Sequence, residues 1–193
     1  LLVGFTGLVS FGHAAFYGLG GYSLAILTRD AGLTSIWATL PITLVVCGLA
    51  AAAIGWLSIR TSGIYFIMIT LAFAQMIYFF FNDARAFGGS DGFYILTKPR
   101  FVVGDVTLFT LQNRTTLYYS ALATLIGTAI LLWVLLRSPF GQVITALRAN
   151  EGRTRALGFP IDRYKLVSFC IAGVLSGRAV CLVAVQFAYA SRA

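Results

Sequence analysis

Acidic side chains are scarce in this chain, six among 193 residues, and each of them falls at or outside the end of a long apolar run. They are Asp30, Asp83, Asp91, Asp105, Glu151 and Asp162. Paired carboxylates within helices, the usual machinery of ion-coupled carriers, are therefore missing. Charged residues of both signs make up only 10% of the chain, too few to coat a soluble globule of this size. Cys47, Cys170 and Cys181 show no CxxC spacing and no histidine cluster, which removes the basis for a metal site or a disulfide framework and leaves them as small packing residues. No Gly-x-x-x-x-Gly-Lys-[Ser/Thr] occurs, so the chain has no P-loop to cradle ATP. These absences point away from an enzyme and from any bound cofactor.

What is present is apolar: 59% hydrophobic residues and a mean hydropathy of +0.88 describe a polytopic membrane protein. Residues 33–59, 61–82 and 115–136 are free of charge, and each is longer than the roughly 20 residues a helix needs to cross the hydrocarbon core. A fourth run, 166–191, carries Arg178 in its middle, costly unless paired or in reach of water. Arg60 between the first two runs marks a tight turn. Before Arg29 the chain is apolar but rich in glycine, with Gly4, Gly7, Gly12, Gly18, Gly20 and Gly21 surrounding the lone His13. Glycine costs helix stability unless packing or function compensates, so we expect a helix tail, a break within 4–12, and a helix to about Thr28. The fold class that follows is all-α: a polytopic transmembrane helical bundle with a broken glycine-rich helix.

The net charge of +8 does not imply nucleic acid, because six of the fourteen cations lie in 137–165 and most others flank apolar spans. There Arg137, Arg148, Arg153, Arg155, Arg163 and Lys165 face only Glu151 and Asp162, and the positive-inside bias places this loop in the cytoplasm. Parity then puts Arg60 inside and both 29–30 and 83–114 outside. The outer loop 83–114 is nearly balanced in charge, and its segment 101–109 has the pattern of a short strand pair turning at Gly104-Asp105. Within the basic loop, residues 142–156 predict one helix, with Val143, Ile144, Ala146 and Leu147 toward one side and Arg148, Glu151 and Arg155 toward the other. Gly158 is suited to its C-terminal cap and Pro160 blocks its continuation. Pattern alone leaves two readings of this helix: a docking element for a cytoplasmic partner, or an interfacial helix under anionic lipid.

Three motifs in order sharpen the reading: Ser10-Phe-Gly-His-Ala-Ala-Phe-Tyr-Gly-Leu-Gly-Gly-Tyr22, Phe87-Gly-Gly-Ser-Asp-Gly92, and Gly141 through Ala146-Leu-Arg-Ala-Asn-Glu151 to Ala156-Leu-Gly158 with Arg163-Tyr-Lys-Leu166. Over nearly its whole length the chain resembles the permease subunits of branched-chain amino-acid ABC importers, a family that also includes urea and short-amide permeases. The family pattern implies small residues for tight helix packing where this chain has Ser176-Gly-Arg-Ala-Val-Cys181. The resemblance implies a single transmembrane permease domain over 1–193, with further helices expected beyond both ends, in the bacterial inner membrane among its lipids. It implies a homologous permease subunit, two cytoplasmic ATPase subunits and a periplasmic substrate-binding protein as partners, with no nucleic acid. Under it, Ser10, His13, Tyr17 and Gln75 are candidates to line the substrate path, and Gly89, Ser90, Asp91 and Gly92 form a periplasmic loop motif. Ala146, Arg148, Asn150, Glu151, Ala156 and Gly158 are the candidates for coupling to the ATPases.

The glycines and Ser90 of the loop motif can hold a ligand through backbone amides or make a tight turn. His13 is either a titrating intramembrane group or a neutral ring bonded to a carbonyl of a neighbouring helix. ATP-driven import needs no proton relay, which favours the second. An ion-coupled secondary transporter and a purely structural membrane subunit are the competing classes.

Overall fold

The computed structural model describes residues 1–29, 36–83, 101–103, 106–109 and 114–190. An N-terminal π-helical turn, Leu2–Thr6, precedes α1 (His13–Arg29), α2 (Ile36–Ser58) and α3 (Ile64–Asp83). A strand pair follows, β1 (Phe101–Val103) and β2 (Val106–Phe109), and then α4 (Arg114–Arg137), α5 (Pro139–Ala149), α6 (Glu151–Ala156) and α7 (Ile161–Ala190). The molecule is the helical bundle its composition implies. Among the described residues three stretches are long and apolar enough to cross a membrane: Ala38–Ser58, Ile64–Asp83 and Tyr118–Arg137. The fourth apolar run forms α7, whose 30 residues continue through Arg178 without a break.

The glycine-rich start is interrupted as its composition predicts. The π-helical turn ends at Gly7, whose φ of 74° is left-handed backbone that glycine adopts without strain. Helix α1 begins only at His13. The turn between α2 and α3 is also tight: the Thr61 amide and hydroxyl both donate to the Ser58 carbonyl, and Gly63 takes a φ of 63°. The strands pair antiparallel, Phe101 opposite Phe109 and Val103 opposite Val106, with an irregularity between Phe101 and Val102. Their expected turn at Gly104-Asp105 lies outside the described residues.

The centre of the bundle is α7, which runs parallel to α1 and antiparallel to α2. Glycines let the three backbones approach. The Cα of Gly177 lies 3.3 Å from where a side chain at Gly20 would begin, and a side chain at Gly173 would begin 2.7 Å from the Ala51 methyl. With lipid as apolar as the helices themselves, close van der Waals packing of this kind replaces the hydrophobic effect as the force that joins them. At one end of the bundle Phe16, Phe66 and Phe169 meet edge to face, with centroids 5.6 Å (Phe16–Phe169) and 6.0 Å (Phe66–Phe169) apart. Such pairs add about 0.5–1.5 kcal/mol each beyond area burial. Leu2, Leu8, Ala51, Ile54, Ile59 and Ala172 complete this cluster. Helix α4 stands differently: none of its spanning window is buried, and among the described residues it meets the rest of the chain chiefly at α5.

One expectation needs correction. The basic loop holds two helices, because the chain breaks at Asn150, whose φ of −159° and ψ of 102° are extended. The Asn150 side chain accepts from the Arg153 amide at 2.9 Å, a local bond that ends one helix and starts the next.

Candidate functional site

The loop between α4 and α7 is built from capped pieces. The Ser138 hydroxyl accepts from the Gly141 amide and Pro139 occupies the first turn, where a missing N–H costs nothing. Ile144 and Leu147 of α5 are buried and Val143 is half-buried, as their spacing predicts. Ala146, expected on the apolar side, is exposed, because the buried face of α5 is narrow and centred on Ile144. In α6 only Thr154 is buried, its hydroxyl donating to the Asn150 carbonyl at 3.0 Å. Leu157 closes α6 and Gly158 follows with a φ of 86°, the left-handed conformation that suits glycine just past a helix end.

Electrostatics tie this loop to the bundle. Glu151 accepts from the Lys165 ammonium at 2.9 Å and lies 3.7 Å from the Arg155 guanidinium. The Lys165 side chain is 7% exposed, so Glu151 is the group that allows a cation to stay at the base of α7. On the α5 side the Arg148 guanidinium donates to the Gly4 carbonyl of the π-helical turn. Phe140 stacks on Tyr164 with centroids 5.5 Å apart, and Phe159 meets the same ring edge-on. Of the candidate coupling residues, Asn150, Glu151 and Arg148 thus hold the loop together and to its neighbours. Ala146, Ala156 and the tip around Leu157 and Gly158 face outward.

The candidate path residues are only partly brought together. The Ser10 hydroxyl accepts from the Gly12 amide at 3.1 Å, and the Ser10 carbonyl lies 3.3 Å from His13 Nδ1. The histidine is half-buried and its carbonyl partner is local, three residues earlier, rather than on a neighbouring helix. Its ring also meets Phe16 edge-on at 6.2 Å, and the Ser176 hydroxyl donates to its carbonyl at 3.5 Å. Tyr17 is exposed, one turn on from His13. Gln75 is exposed on α3, beside the buried Ala74, and no hydrogen bond joins it to the other three. The loop motif Gly89, Ser90, Asp91 and Gly92 lies outside the described residues. Among the described residues no group of three or more His, Cys, Asp or Glu side chains is placed to hold a metal.

Reading by sequence passed over three features. Lys165 as the partner of Glu151 and Gly4 as the partner of Arg148 had no local signal. Gly173 and Gly177 did: they form the Gly-x-x-x-Gly spacing of close-packed membrane helices.

A family model described as "Branched-chain amino acid transport system / permease component" matches residues 1–192. The chain is 31% identical over 221 residues to the high-affinity branched-chain amino acid transport system permease protein LivM of Escherichia coli (strain K12). It is 29% identical over 217 residues to the LivM protein of Salmonella typhimurium (strain LT2). Each alignment covers 99% of this chain and 49% of the relative, so the chain spans about half the length of the curated relatives it matches. No solved structure matches. With these matches and its apolar helices, the chain is a membrane protein and belongs to the family of branched-chain amino acid transport permease components, a family of transport subunits rather than enzymes.

Proposed function

We propose that the chain lines part of a translocation path for branched-chain amino acids in an ATP-binding-cassette importer of the bacterial inner membrane. Residues 137–165 are its coupling loop, on the cytoplasmic side, and 83–114 is its periplasmic loop. Its partners are a homologous permease subunit, two ATPase subunits that dock on the coupling loop, and a periplasmic substrate-binding protein. The observation that carries this reading is the construction of the loop. Two short capped helices, fastened inward by Arg148 and Glu151, leave Ala146, Ala156 and Leu157 outward, and Leu157 is 71% exposed at the tip. A rigid loop with an apolar tip, between two membrane helices, is suited to pass a push from a soluble partner into the bundle. A lipid-facing interfacial helix has no use for such fastening.

Reconstitution tests it. In vesicles holding the full-length protein with its neighbouring permease and ATPase subunits, leucine-loaded binding protein is expected to stimulate ATP hydrolysis and drive accumulation of labelled leucine. Accumulation of urea in place of leucine would change the substrate. Uptake driven by a proton gradient without hydrolysis would overturn the importer reading itself.

A further inference from the structure

Arg148 is exposed on α5, yet its guanidinium is committed to the carbonyl of Gly4, 144 residues earlier in the chain. Its stem is committed as well: a side chain at Gly7 would begin 3.2 Å from Arg148 Cγ and 3.8 Å from its Cβ. Gly7 is therefore the floor on which the arginine lies. The segment it grips is itself anchored, since Leu2 and Leu8 are both buried in the Phe16 and Phe169 cluster. The amides of Gly7 and Leu8 both turn back to the Leu2 carbonyl. The Gly4 carbonyl within this turn accepts from a donor outside it. Here the outside donor belongs to α5. Six residues beyond Gly4 comes Ser10, whose hydroxyl and carbonyl organise the turn into His13 and so the start of α1.

Besides the stacking of Phe140 on Tyr164, two polar ties of the loop thus lead to different helices. Glu151 and Lys165 join α6 to α7, whereas Arg148 joins α5 to the segment that leads into α1. We propose that Arg148 is a positioning residue that makes α5 and the Leu2–Thr6 turn move as one body, so that displacement of the loop is delivered to Ser10 and His13 at the start of α1. This rests on 137–165 being the coupling loop. Arginine suits the task because its planar fork is pre-organised for a carbonyl and its stem packs flat on Gly7; lysine offers a single, more hydrated head.

The test uses the full-length permease, free of Cys47, Cys170 and Cys181, assembled with its ATPases and binding protein in vesicles. The quantity read is labelled leucine accumulated per ATP hydrolysed. A residue that only stabilised the complex would lower uptake and hydrolysis together and leave this ratio alone. Arg148→Cys is expected to lower the ratio several-fold, and Arg148→Lys to lie between it and the parent. In Gly7→Cys/Arg148→Cys the Cβ atoms are placed about 3.8 Å apart, the usual spacing across a disulfide, and Gly7→Cys alone is the control for the strain of a side chain at a φ of 74°. Oxidation should therefore restore the ratio and reduction should abolish it again.

An unchanged ratio in Arg148→Cys would overturn the proposal, and so would a loss of uptake when the double cysteine is oxidised, since the two segments would then need to part. If Arg148→Cys does not assemble, Arg148→Lys alone decides, with a parental ratio counting against the proposal. A parent complex whose hydrolysis ignores leucine-loaded binding protein would remove the coupling-loop reading and this one with it. A responsive parent with an indifferent Arg148 would remove this one alone.

Discussion

Replacing Gly173 by alanine places a methyl group 2.7 Å from the Ala51 methyl of α2, about an ångström inside ordinary contact, while the next neighbours, on Phe16, stand at a tolerable 3.4 Å. Two effects oppose each other. Alanine in mid-helix gains about 1 kcal/mol over glycine in propensity. Overpacking of a well-filled interior costs about 1–3 kcal/mol, and here the obstacle is a methyl fixed to a backbone, with no rotamer by which to withdraw. The clash is expected to win, for a net loss of up to about 2 kcal/mol in Gly173→Ala. Ala51→Gly alone should lose about 1 kcal/mol from propensity and the emptied contact. The double variant Gly173→Ala/Ala51→Gly exchanges methyl for hydrogen across the same interface, and its stability should return to within about 0.5 kcal/mol of the parent, a coupling of about 2 kcal/mol. Thermal unfolding of the detergent-solubilised protein, followed by tryptophan fluorescence for all four members of the cycle, measures it. A Gly173→Ala protein at least as stable as the parent, or a double variant no better than the sum of the singles, would refute the close approach of α2 and α7.

Three further outcomes are expected. Glu151→Lys should destabilise the loop by about 1–3 kcal/mol, less than for a fully buried pair because Glu151 is 44% exposed, and Glu151→Lys/Lys165→Glu should recover most of that in limited proteolysis; no recovery would deny the tie between α6 and α7. Leu157→Cys, at the exposed tip of the loop, should resist an impermeant thiol reagent in intact cells and react in inverted vesicles; labelling from outside would invert the topology. His13→Gln should transport leucine with an unaltered pH profile between about pH 5.5 and about pH 8, because an amide can replace the ring at the Ser10 carbonyl; a profile flattened at normal expression would identify a titrating group and revive proton-coupled transport.

How far such a chain can be read from its residues depends on the range of the interaction concerned. Hydropathy marks 61–82 against an observed Ile64–Asp83 and 115–136 against Arg114–Arg137, since exclusion of charge from a span is a property of each segment by itself. Glycine likewise betrays the break before His13 and the end of α6 at Gly158, where local backbone freedom decides. Asn150 gives no such warning, because an asparagine inside a helical pattern is only weakly unfavourable; it becomes a breaker when its side chain finds the Arg153 amide. The Gly-x-x-x-Gly of α7 is a local spacing and stands in the sequence next to Arg178. Contacts such as Arg148 with Gly4 have no signature in either segment alone, because nothing in a charged loop says which of many open carbonyls it will meet.

The isolation of α4 has a mechanical consequence. This helix of 24 residues is about 36 Å long, and it joins α5 at a corner where Ser138 and Pro139 fix the turn. Gly141 sits so near the Leu136 backbone there that it leaves no room for a side chain. Among the described residues little else braces α4, so a rotation at that corner would carry the whole helix with it. A rotation of about 10° at that corner would sweep the far end of the helix through about 6 Å.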